Sequence, residues 1–250
     1  MEISQYLDAT YLKTPEQAEI SEDETLQRII SLTKEAIKYN YKLIMVRANY
    51  ILNVKEILKV SNSSVLIGTV ISFPDGTNAI SEKLKEAEKA IKLGAHELDF
   101  VLNYKAFKNR DFSLINNEII SCTKLALDNQ KVVKWIIETA ALTTQEIIVI
   151  SQRIKTLIIS TFGNENTESV YVKSSTGFFK TANNLPHGAT LKNMRLIVEN
   201  AKPLKVKAAG GVRDFETALK MIEIGVDRIG TSSAKDIVTN KENLPKNNTY

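Results

Sequence analysis

The stretch that decides the fold is VYVKSSTG, residues 170–177, an apolar strand pattern that carries one lysine and ends in small hydroxylic residues and a glycine. Burial disfavours a charged ammonium group and can lower the pKa of a lysine by several units from about 10.4. A lysine that is neutral near pH 7 attacks carbonyl carbons and forms Schiff bases. A strand-end lysine can instead extend its ammonium group into water. Lys173 alone does not decide between these interpretations, but three further strands repeat the arrangement.

Charged residues recur at corresponding positions of four successive strand patterns. They are Asp99, Lys134, Lys173 and Lys207, and the intervals of 35, 39 and 34 residues between them are each the length of one strand-and-helix unit. Strand and helix patterns alternate along the chain, with an eighth strand candidate in residues 5–10. The seven clear strand patterns cover residues 42–46, 65–71, 97–102, 131–137, 170–173, 204–208 and 227–230.

This alternation, in a chain of 250 residues, predicts a single-domain (β/α)8 TIM barrel with an N-terminal helical extension, rather than an open doubly wound sheet. No Gly-x-Gly-x-x-Gly motif follows a strand, so the dinucleotide-binding fingerprint is missing. One domain is expected over residues 1–250, with a polar, mobile tail over about 240–250. Two minor predictions are a short helix over residues 54–58 and a polar loop over residues 163–168.

Composition argues against several classes of function. The net charge of +4 is spread along the chain without a basic block, which gives little support to nucleic-acid binding and favours small anionic substrates. The single cysteine, Cys122, allows no intramolecular disulfide, so a cytoplasmic location is expected. No apolar run approaches about 18 residues, and the N-terminal MEIS lacks a signal-peptide pattern, so no membrane partner is expected.

The two histidines, His96 and His187, are far apart in sequence, and each is predicted to lie in a loop. Their spacing is not that of a zinc site, so the sequence predicts no metal. No cofactor is expected either, and the dinucleotide-binding fingerprint in particular is missing.

Strand alternation predicts which side chains point into the barrel. Glu97 and Asp99 share one face of their strand, and the apolar residues between them form the face that packs under helices. The simplest arrangement places Asp99, Lys134, Lys173 and Lys207 together in the interior, where one ammonium group lowers the pKa of another and a carboxylate moves protons. The alternative is a buried ion-pair network that only fills the barrel. Lys134 lies near the start of its strand, which favours a low position as the structural partner of Asp99.

Glycines and hydroxylic residues follow the last two strands and the strand of Lys173. Backbone amides in such turns bind anions, and barrel enzymes often hold phosphate with the loops after strands 7 and 8. Arg213 either lines the same loop or is a surface residue at a helix start. The predicted phosphate-binding residues are Thr176, Gly177, Gly210, Gly211, Ser232 and Ser233.

Several motifs resemble those of the deoxyribose-phosphate aldolase family, and the likeness extends from about residue 6 to residue 238. The lysine-strand and Gly-Gly-Val-Arg motifs are the most specific of them. The motifs are LDAT (7–10), FPDG (73–76), ELD (97–99), KWIIET (134–139), VKSSTGF (172–178), KVKAAGGVR (205–213) and GTSS (230–233).

The resemblance implies a class I aldolase without metal or cofactor, which reversibly cleaves 2-deoxy-D-ribose 5-phosphate into acetaldehyde and D-glyceraldehyde 3-phosphate. It implies that Lys173 forms the Schiff base and that Lys207 lowers the pKa of Lys173. Asp99 is then the residue that relays protons through a water molecule. The resemblance assigns the phosphate to Gly177, Gly210, Gly211, Ser232 and Ser233.

The chain also departs from the family pattern near the expected sugar site. Ala9 stands where the family has histidine, next to Thr10, a supporting site residue, and MVRAN (45–49) stands in place of a Cys-Val-Asn-Pro-like segment. These departures bear on aldehyde tolerance and rate more than on the type of reaction. Some family members end in a tyrosine that reaches the active site, so Tyr250 is a candidate, with a mobile tail as the alternative.

Two other functions fit the same residues. One is a different lysine-dependent phosphosugar aldolase, and the other is a barrel that binds phosphosugars without catalysis. The second is disfavoured by the presence of Asp99, Lys173 and Lys207 together, because ligand binding alone needs no poised amine. The expected partners are phosphosugar and aldehyde substrates, and the outer helices allow a homodimer or a higher homo-oligomer.

Overall fold

The computed structural model describes residues 2–181 and 188–239, and its centre is a closed barrel of eight parallel strands. Each strand pairs with its neighbours in sequence, and the first strand pairs with the last, which closes the barrel. The strands are β1 (Leu7–Thr10), β2 (Leu43–Val46), β3 (Leu66–Ile71), β4 (Glu97–Val101), β5 (Val132–Ile136), β6 (Val170–Lys173), β7 (Lys205–Ala209) and β8 (Arg228–Thr231).

Helices connect the strands and surround the barrel. Those in the described part of the chain are α1 (Pro15–Ala18), α2 (Glu22–Lys38), α3 (Ile51–Val60), α4 (Ile80–Leu93), α5 (Tyr104–Lys108), α6 (Phe112–Asp128), α7 (Thr144–Phe162), α8 (Leu191–Ala201), α9 (Phe215–Glu223) and α10 (Ala234–Thr239). Short 3-10 helices cover Ile3–Tyr6, Ala48–Tyr50, Thr139–Ala141 and Asn164–Ser169.

The predicted barrel is confirmed, including the eighth strand near the N-terminus. The helical extension before that strand is the single 3-10 helix Ile3–Tyr6. Of the two minor predictions, the helix is confirmed but was predicted too short, and the loop was wrong. The helix expected over residues 54–58 extends over the whole of α3, because Ile51 and Val54 both pack into the core, and the polar loop at 163–168 is largely a 3-10 helix. The tail over about 240–250 lies outside the described residues.

Helix ends follow local sequence signals. The Ser21 hydroxyl accepts from the Glu24 amide at 3.1 Å, and the Glu24 carboxylate accepts from the Ser21 amide at 2.8 Å. This reciprocal capping box satisfies two amides at the start of α2 that have no partner inside the helix. At the end of α4, Gly94 adopts φ +113°, a left-handed conformation that glycine permits without a Cβ clash.

The outward faces of the strands pack against the helices and form the main apolar core. Phe100 on β4 stacks on Trp135 on β5 with ring centroids 5.3 Å apart, and both rings are fully buried. The indole nitrogen of Trp135 donates to the Thr123 hydroxyl of α6 at 3.1 Å, so the one polar atom of this ring has a partner.

The barrel interior is divided into an apolar half and a charged half. Leu43, Met45 and Val70 fill the side formed by β2 and β3, with Leu12 above them. Charged side chains from β1 and from β4 to β8 fill the other side. Barrel interiors are normally packed with branched apolar residues, so the charged half departs from the usual filling of this fold.

Within residues 2–181 and 188–239, no helix combines the length and the apolar character needed to cross a membrane.

Candidate active site

Three lysines converge on one carboxylate in the charged half of the barrel. The ammonium nitrogens of Lys173 and Lys207 each lie 2.8 Å from Oδ2 of Asp99, and that of Lys134 lies 3.2 Å from Oδ1. All four side chains are buried. The structure therefore brings together the four residues that the repeating strand pattern selected.

Strand register explains how residues so far apart in sequence meet. Asp99 is the partner of Lys134 across β4 and β5, and Lys173 is the partner of Lys207 across β6 and β7. Lys134 is also level with Tyr171, two residues before Lys173 on β6, so it sits one layer lower in the barrel. A Cβ at Gly230 would lie 3.0 Å from Cε of Lys207, so a side chain there would press on that lysine.

The electrostatic balance differs between the lysines. Burial lowers the pKa of Lys173 to about 8 against the opposing effect of the Asp99 carboxylate, and the positive charges of Lys207 and Lys134 lower it further. Burial would also lower the pKa of Lys134, but the carboxylates of Asp99, Glu97 and Asp8 outweigh it and raise that pKa above its usual value. At pH 7 about a tenth of Lys173 is therefore a neutral amine, whereas Lys134 stays charged.

Asp99 is held as an anion by its neighbours. Burial alone would raise the pKa of this carboxyl, but the ammonium groups of Lys134, Lys173 and Lys207 hold it well below its usual value. A buried carboxylate with several cationic partners can accept a proton from one group and return it to another without leaving the site.

A second layer of charged residues lies beneath this centre, and sequence reasoning missed its extent. Arg228 donates from Nε to Oδ1 of Asp8 at 2.8 Å and from a terminal nitrogen to Glu97 at 3.2 Å. Lys134 also donates to Glu97, and Oδ2 of Asp8 lies 2.6 Å from the ammonium nitrogen of Lys207. Asp8 lies within the family motif at residues 7–10, but Arg228 opens a four-residue strand and carries no sequence signal of its own.

The predicted phosphate-binding residues follow β6, β7 and β8 and form one contiguous group of loops. A Cβ built on Gly177 would lie 3.9 Å from Cα of Gly210, so the first two loops are adjacent. The Thr231 hydroxyl donates to the Val212 carbonyl at 2.7 Å and connects the third loop to the second. Gly210 and Gly211 adopt φ +91° and +98°, so two consecutive residues need the freedom of glycine. Ser232, Ser233 and the surface residue Arg213 are all accessible to solvent.

Several hydrogen-bond donors of the loop after β6 already have acceptors, either in the same loop or on Glu138. The amide and hydroxyl of Thr176 both donate to the buried carboxylate of Glu138, which sequence reasoning did not single out. The amide of Gly177 donates to the Ser175 hydroxyl at 3.0 Å, and that of Phe178 donates to the Thr176 hydroxyl at 3.1 Å. The signal that could have identified Glu138 is an acidic residue two positions after a buried strand, within KWIIET.

The departures from the family pattern do not lie together, and Ala9 faces away from the barrel interior rather than towards the expected sugar site. Met45 belongs to the apolar half of the interior, and Ala9 is buried on the outward face of β1. The guanidinium of Arg47 lies 5.0 Å from the centre of the Phe73 ring and donates to the Leu12 carbonyl at 2.9 Å. The Thr10 hydroxyl donates to a main-chain carbonyl of its own strand.

Two curated relatives match almost the entire chain. A deoxyribose-phosphate aldolase from Thermococcus kodakarensis is 37% identical over 238 residues, which are 95% of this chain and 96% of the relative. A deoxyribose-phosphate aldolase from Mycoplasma capricolum subsp. capricolum is 37% identical over 243 residues, which are 97% of both chains. The chain belongs to the deoxyribose-phosphate aldolase family. It is therefore an enzyme of the lyase class.

Solved structures agree with this membership in the aldolase family. The aldolase QR15 is 32% identical, superposes with a TM-score of 0.78, and matches 98% of this chain and 100% of its own. A deoxyribose phosphate aldolase from Aeropyrum pernix, described as a unique tetrameric structure, superposes with a TM-score of 0.77 over 97% of this chain and 92% of its own. Its 24% identity supports the barrel fold alone. No protein-family model matches the chain.

Two residues considered in the sequence analysis lie outside the described residues. They are Tyr250, a candidate for the active site, and His187, which was predicted to lie in a loop. Among residues 2–181 and 188–239, no group of three or more histidine, cysteine, aspartate or glutamate side chains is placed to hold a metal ion.

Proposed function

We propose that the chain cleaves 2-deoxy-D-ribose 5-phosphate reversibly into acetaldehyde and D-glyceraldehyde 3-phosphate through a Schiff base on Lys173. The observation that carries the proposal is the buried amine of Lys173, which has a lowered pKa and lies 2.8 Å from Asp99. An amine in this state is a nucleophile at neutral pH, and a proton carrier is already in contact with it.

The reaction begins when the neutral amine of Lys173 adds to the C1 aldehyde of the open-chain sugar. Loss of water from the resulting carbinolamine gives a protonated imine, which withdraws electrons from C2. A base takes the proton of the C3 hydroxyl, the C2–C3 bond breaks, and its electron pair forms an enamine on the lysine. The departing three-carbon fragment is D-glyceraldehyde 3-phosphate. Protonation of the enamine at C2 and hydrolysis of the imine release acetaldehyde and restore the amine.

Asp99 and Lys207 are the groups placed to move protons in these steps. The Asp99 carboxylate accepts hydrogen bonds from both lysines, so it can take a proton from one side and return it to the other. Lys207 also contacts Asp8 at 2.6 Å, which holds it beside the nucleophile, where its charge lowers the pKa of Lys173. Lys134 lies one layer lower and has a supporting role, because it holds Asp99 from beneath.

The phosphate of the substrate is assigned to the loops after β7 and β8, with Gly210, Gly211, Ser232 and Ser233, and with the adjacent Gly177. Two left-handed glycines leave the main chain free of side chains, so an anion can approach the amides closely. Thr176 then contributes mainly to the shape of the wall, because both of its donors point to Glu138.

Borohydride reduction in the presence of acetaldehyde tests the assignment of the nucleophile. We expect peptide mass spectrometry to find a two-carbon adduct on the peptide that contains Lys173, and none in the Lys173→Leu variant. An adduct on Lys207 would reverse the two lysine roles. The absence of a specific adduct in folded protein would contradict the Schiff-base mechanism and favour the binding-only alternative.

Cleavage of the sugar is tested by coupling release of D-glyceraldehyde 3-phosphate to a dehydrogenase assay. We expect 2-deoxy-D-ribose 5-phosphate to be cleaved faster than other phosphosugars at the same concentration. A higher rate with a different phosphosugar would identify another lysine-dependent aldolase of the same family.

Assembly and location complete the proposal. We infer a homo-oligomer, because the outer helices offer a surface that a second copy of the chain can cover. The Aeropyrum pernix structure, which is described as tetrameric, is an example of assembly by this barrel fold. Cys122, the one cysteine of the chain, is buried and free, which is consistent with the proposed cytoplasmic location.

A further inference from the structure

Glu138 is a buried acidic residue at the C-terminal end of β5 that the proposed reaction does not use. Its side chain is 1% exposed, and its main chain has φ 54° and ψ 68°, a left-handed conformation that residues other than glycine seldom adopt. Backbone strain of this kind persists where the surrounding structure fixes it, and it is concentrated at functional sites.

Among residues 2–181 and 188–239, the carboxylate of Glu138 accepts from three donors, which belong to the loop after the Lys173 strand. Oε1 accepts from the Ser175 hydroxyl at 2.7 Å. Oε2 accepts from the Thr176 amide at 3.2 Å and from the Thr176 hydroxyl. Within the described residues, no ammonium or guanidinium group forms an ion pair with Glu138. The loop itself therefore provides the polar surroundings that this buried anion requires.

The loop held by Glu138 packs against the first glycine of the predicted phosphate site. A Cβ built on Gly210 would lie 3.4 Å from both Cβ and Oγ of Ser175, so the position of Ser175 limits where the Gly210 turn can lie. The next residue, Thr139, donates from its hydroxyl to the Gly188 carbonyl at 3.0 Å. A Cβ on Gly188 would lie 2.8 Å from the Gly210 carbonyl oxygen, so Gly188 also packs against this turn. Glu138 therefore holds Ser175, Thr139 holds Gly188, and both of the held residues lie against the Gly210 turn.

The same network reaches the mouth of the barrel. The Thr176 hydroxyl, which donates to Glu138, accepts from the amide of Phe178. The ring of Phe178 packs edge-to-face on that of Phe73, with centroids 4.9 Å apart, and Phe73 follows β3 on the opposite, apolar side. The Glu138 carboxylate therefore fixes a loop that extends from the end of β6 to Phe73 on the opposite, apolar side of the barrel mouth.

We propose that Glu138 is a positioning residue for the phosphate end of the substrate. It acts through Ser175 and Thr176, which set the place of the Gly210 turn, and it does not touch the reacting atoms. The inference rests on the proposed function, because it needs a substrate that carries a phosphate. It predicts that loss of Glu138 weakens recognition of the phosphate and leaves the chemistry of Lys173 intact.

The test compares cleavage of 2-deoxy-D-ribose 5-phosphate with that of 2-deoxy-D-ribose, which lacks the phosphate. In Glu138→Ala, we expect kcat/KM for the phosphorylated sugar to fall about 10- to 100-fold, mainly through KM, since small displacements of binding groups have effects of this size. We expect less than about a threefold change for the unphosphorylated sugar. The borohydride adduct of acetaldehyde on Lys173 should form as in the wild type.

Conservative variants separate positioning from charge. Glutamine has the size of glutamate, and its amide can accept from Thr176 while donating to Ser175 after that hydroxyl rotates. Glu138→Gln is therefore expected to retain most of the preference for the phosphorylated sugar. A Gln variant as impaired as the Ala variant would overturn the positioning role. If Glu138→Ala does not fold, Glu138→Asp decides, because its carboxylate sits one methylene further from the loop; an unchanged preference would contradict the inference.

Ile154→Ala is the control for loss of stability. Ile154 is a buried apolar residue of the core on α7 and has no part in the Glu138 hydrogen bonds, so its truncation should lower Tm without altering the preference between the two sugars. Equal losses of kcat/KM for both sugars in Glu138→Ala would show a merely structural role. A wild type that fails to cleave the phosphorylated sugar would contradict the proposed function itself, whereas an unchanged preference in the Glu138 variants contradicts this inference alone.

Discussion

At the scale of single residues, the contrast between Lys173 and Lys207 lies in their second partners. Both contact Asp99, but Lys207 has a further carboxylate, Asp8, at 2.6 Å, while Lys173 has Asp99 alone among the described carboxylates. Burial lowers the pKa of Lys173 to about 8, and only one of these carboxylates opposes that effect. Sequence spacing could select both lysines but could not choose between them, because the choice depends on Asp8, whose contact comes from barrel closure.

Lys173→Met should abolish cleavage of the sugar and raise Tm. Methionine fills a similar volume without a charge to desolvate, and Asp99 retains Lys134 and Lys207 as partners. Thermal unfolding and a retro-aldol assay on the same preparation provide the measurement. A strong loss of stability would instead identify Lys173 as a structural member of the ion-pair network.

Lys207→Met should move the pH dependence of imine formation upward. The Lys207 charge lowers the pKa of Lys173, so its removal raises that pKa above about 8 and reduces the neutral fraction at pH 7. The rate of borohydride trapping with acetaldehyde, followed against pH, gives the midpoint directly. Lys205→Met, on the same strand but paired with Glu168 and Asp227, should leave the midpoint in place. A Lys207 variant with the wild-type midpoint would show that the Lys207 charge does not lower the pKa of Lys173.

At the scale of elements, a buried ion pair outside the barrel fixes two helices to the strand ends. Lys83 on α4 contacts Glu118 on α6 and donates to the carbonyls of Gly76 at 2.6 Å and Val101 at 2.8 Å. Glu118 also accepts from the Asn103 amide at 3.2 Å. This pair therefore holds the loop that follows β3 and the end of β4, which carries Asp99.

Lys83→Met should destabilise the fold by about 3–5 kcal/mol, because it leaves the charge of Glu118 buried without a cation. Urea unfolding measures the free energy of unfolding. The double variant Lys83→Met with Glu118→Leu removes both charges, so it should recover a large part of that loss. A single variant within about 1 kcal/mol of the wild type would mean that water or another group compensates Glu118.

The sequence predicted the strands and the long helices better than the short helices. Strands and long helices were predicted because burial imposes a period on many residues, and caps such as Ser21 with Glu24 mark their ends. The short helices α1 and α5 were missed, since four or five residues carry too little periodicity to separate them from turns. The 3-10 helix at Asn164–Ser169 was predicted as a loop because its residues are polar throughout.

At the scale of the whole molecule, the charged half of the barrel depends on contacts across the closed sheet. Arg228 on β8 pairs with Asp8 on β1 and, across the interior, with Glu97 on β4. The period of the strands predicted the upper centre around Asp99. It could not predict this lower layer, because apolar residues usually fill it and only the closed register places these three charges together.

Asp8 should make stability depend on pH in the acid range. Burial would raise the pKa of this carboxyl, but Arg228, Lys207 and Lys134 outweigh it and lower the pKa from 3.8 to about 2. The ionised Asp8 carboxylate therefore stabilises the folded state by about 2 kcal/mol above about pH 4, and this contribution is lost as the pH falls towards 2. The difference in free energy of unfolding between the wild type and Asp8→Asn should shrink accordingly between about pH 5 and pH 2.

Asp128→Asn is the matched control for this pH dependence. Asp128 pairs with Lys124 on the exposed surface of α6, where solvent screens the interaction, so its substitution should change the free energy of unfolding by less than about 1 kcal/mol throughout the same range. A constant difference for the Asp8 variant would show that Asp8 titrates alike in the folded and unfolded chains.

The contact between Asp8 and Arg228 spans 220 residues, and this separation matters while the protein is being made. A ribosome releases Asp8 and Glu97 well before Arg228, so the nascent polypeptide carries two carboxylates that have not met their guanidinium. Those groups must stay hydrated until the last strand emerges and displaces the water. A translation product cut short before residue 228 lacks that guanidinium, so we expect it to keep an open, hydrated centre and to be cleaved by proteases more readily than the complete barrel.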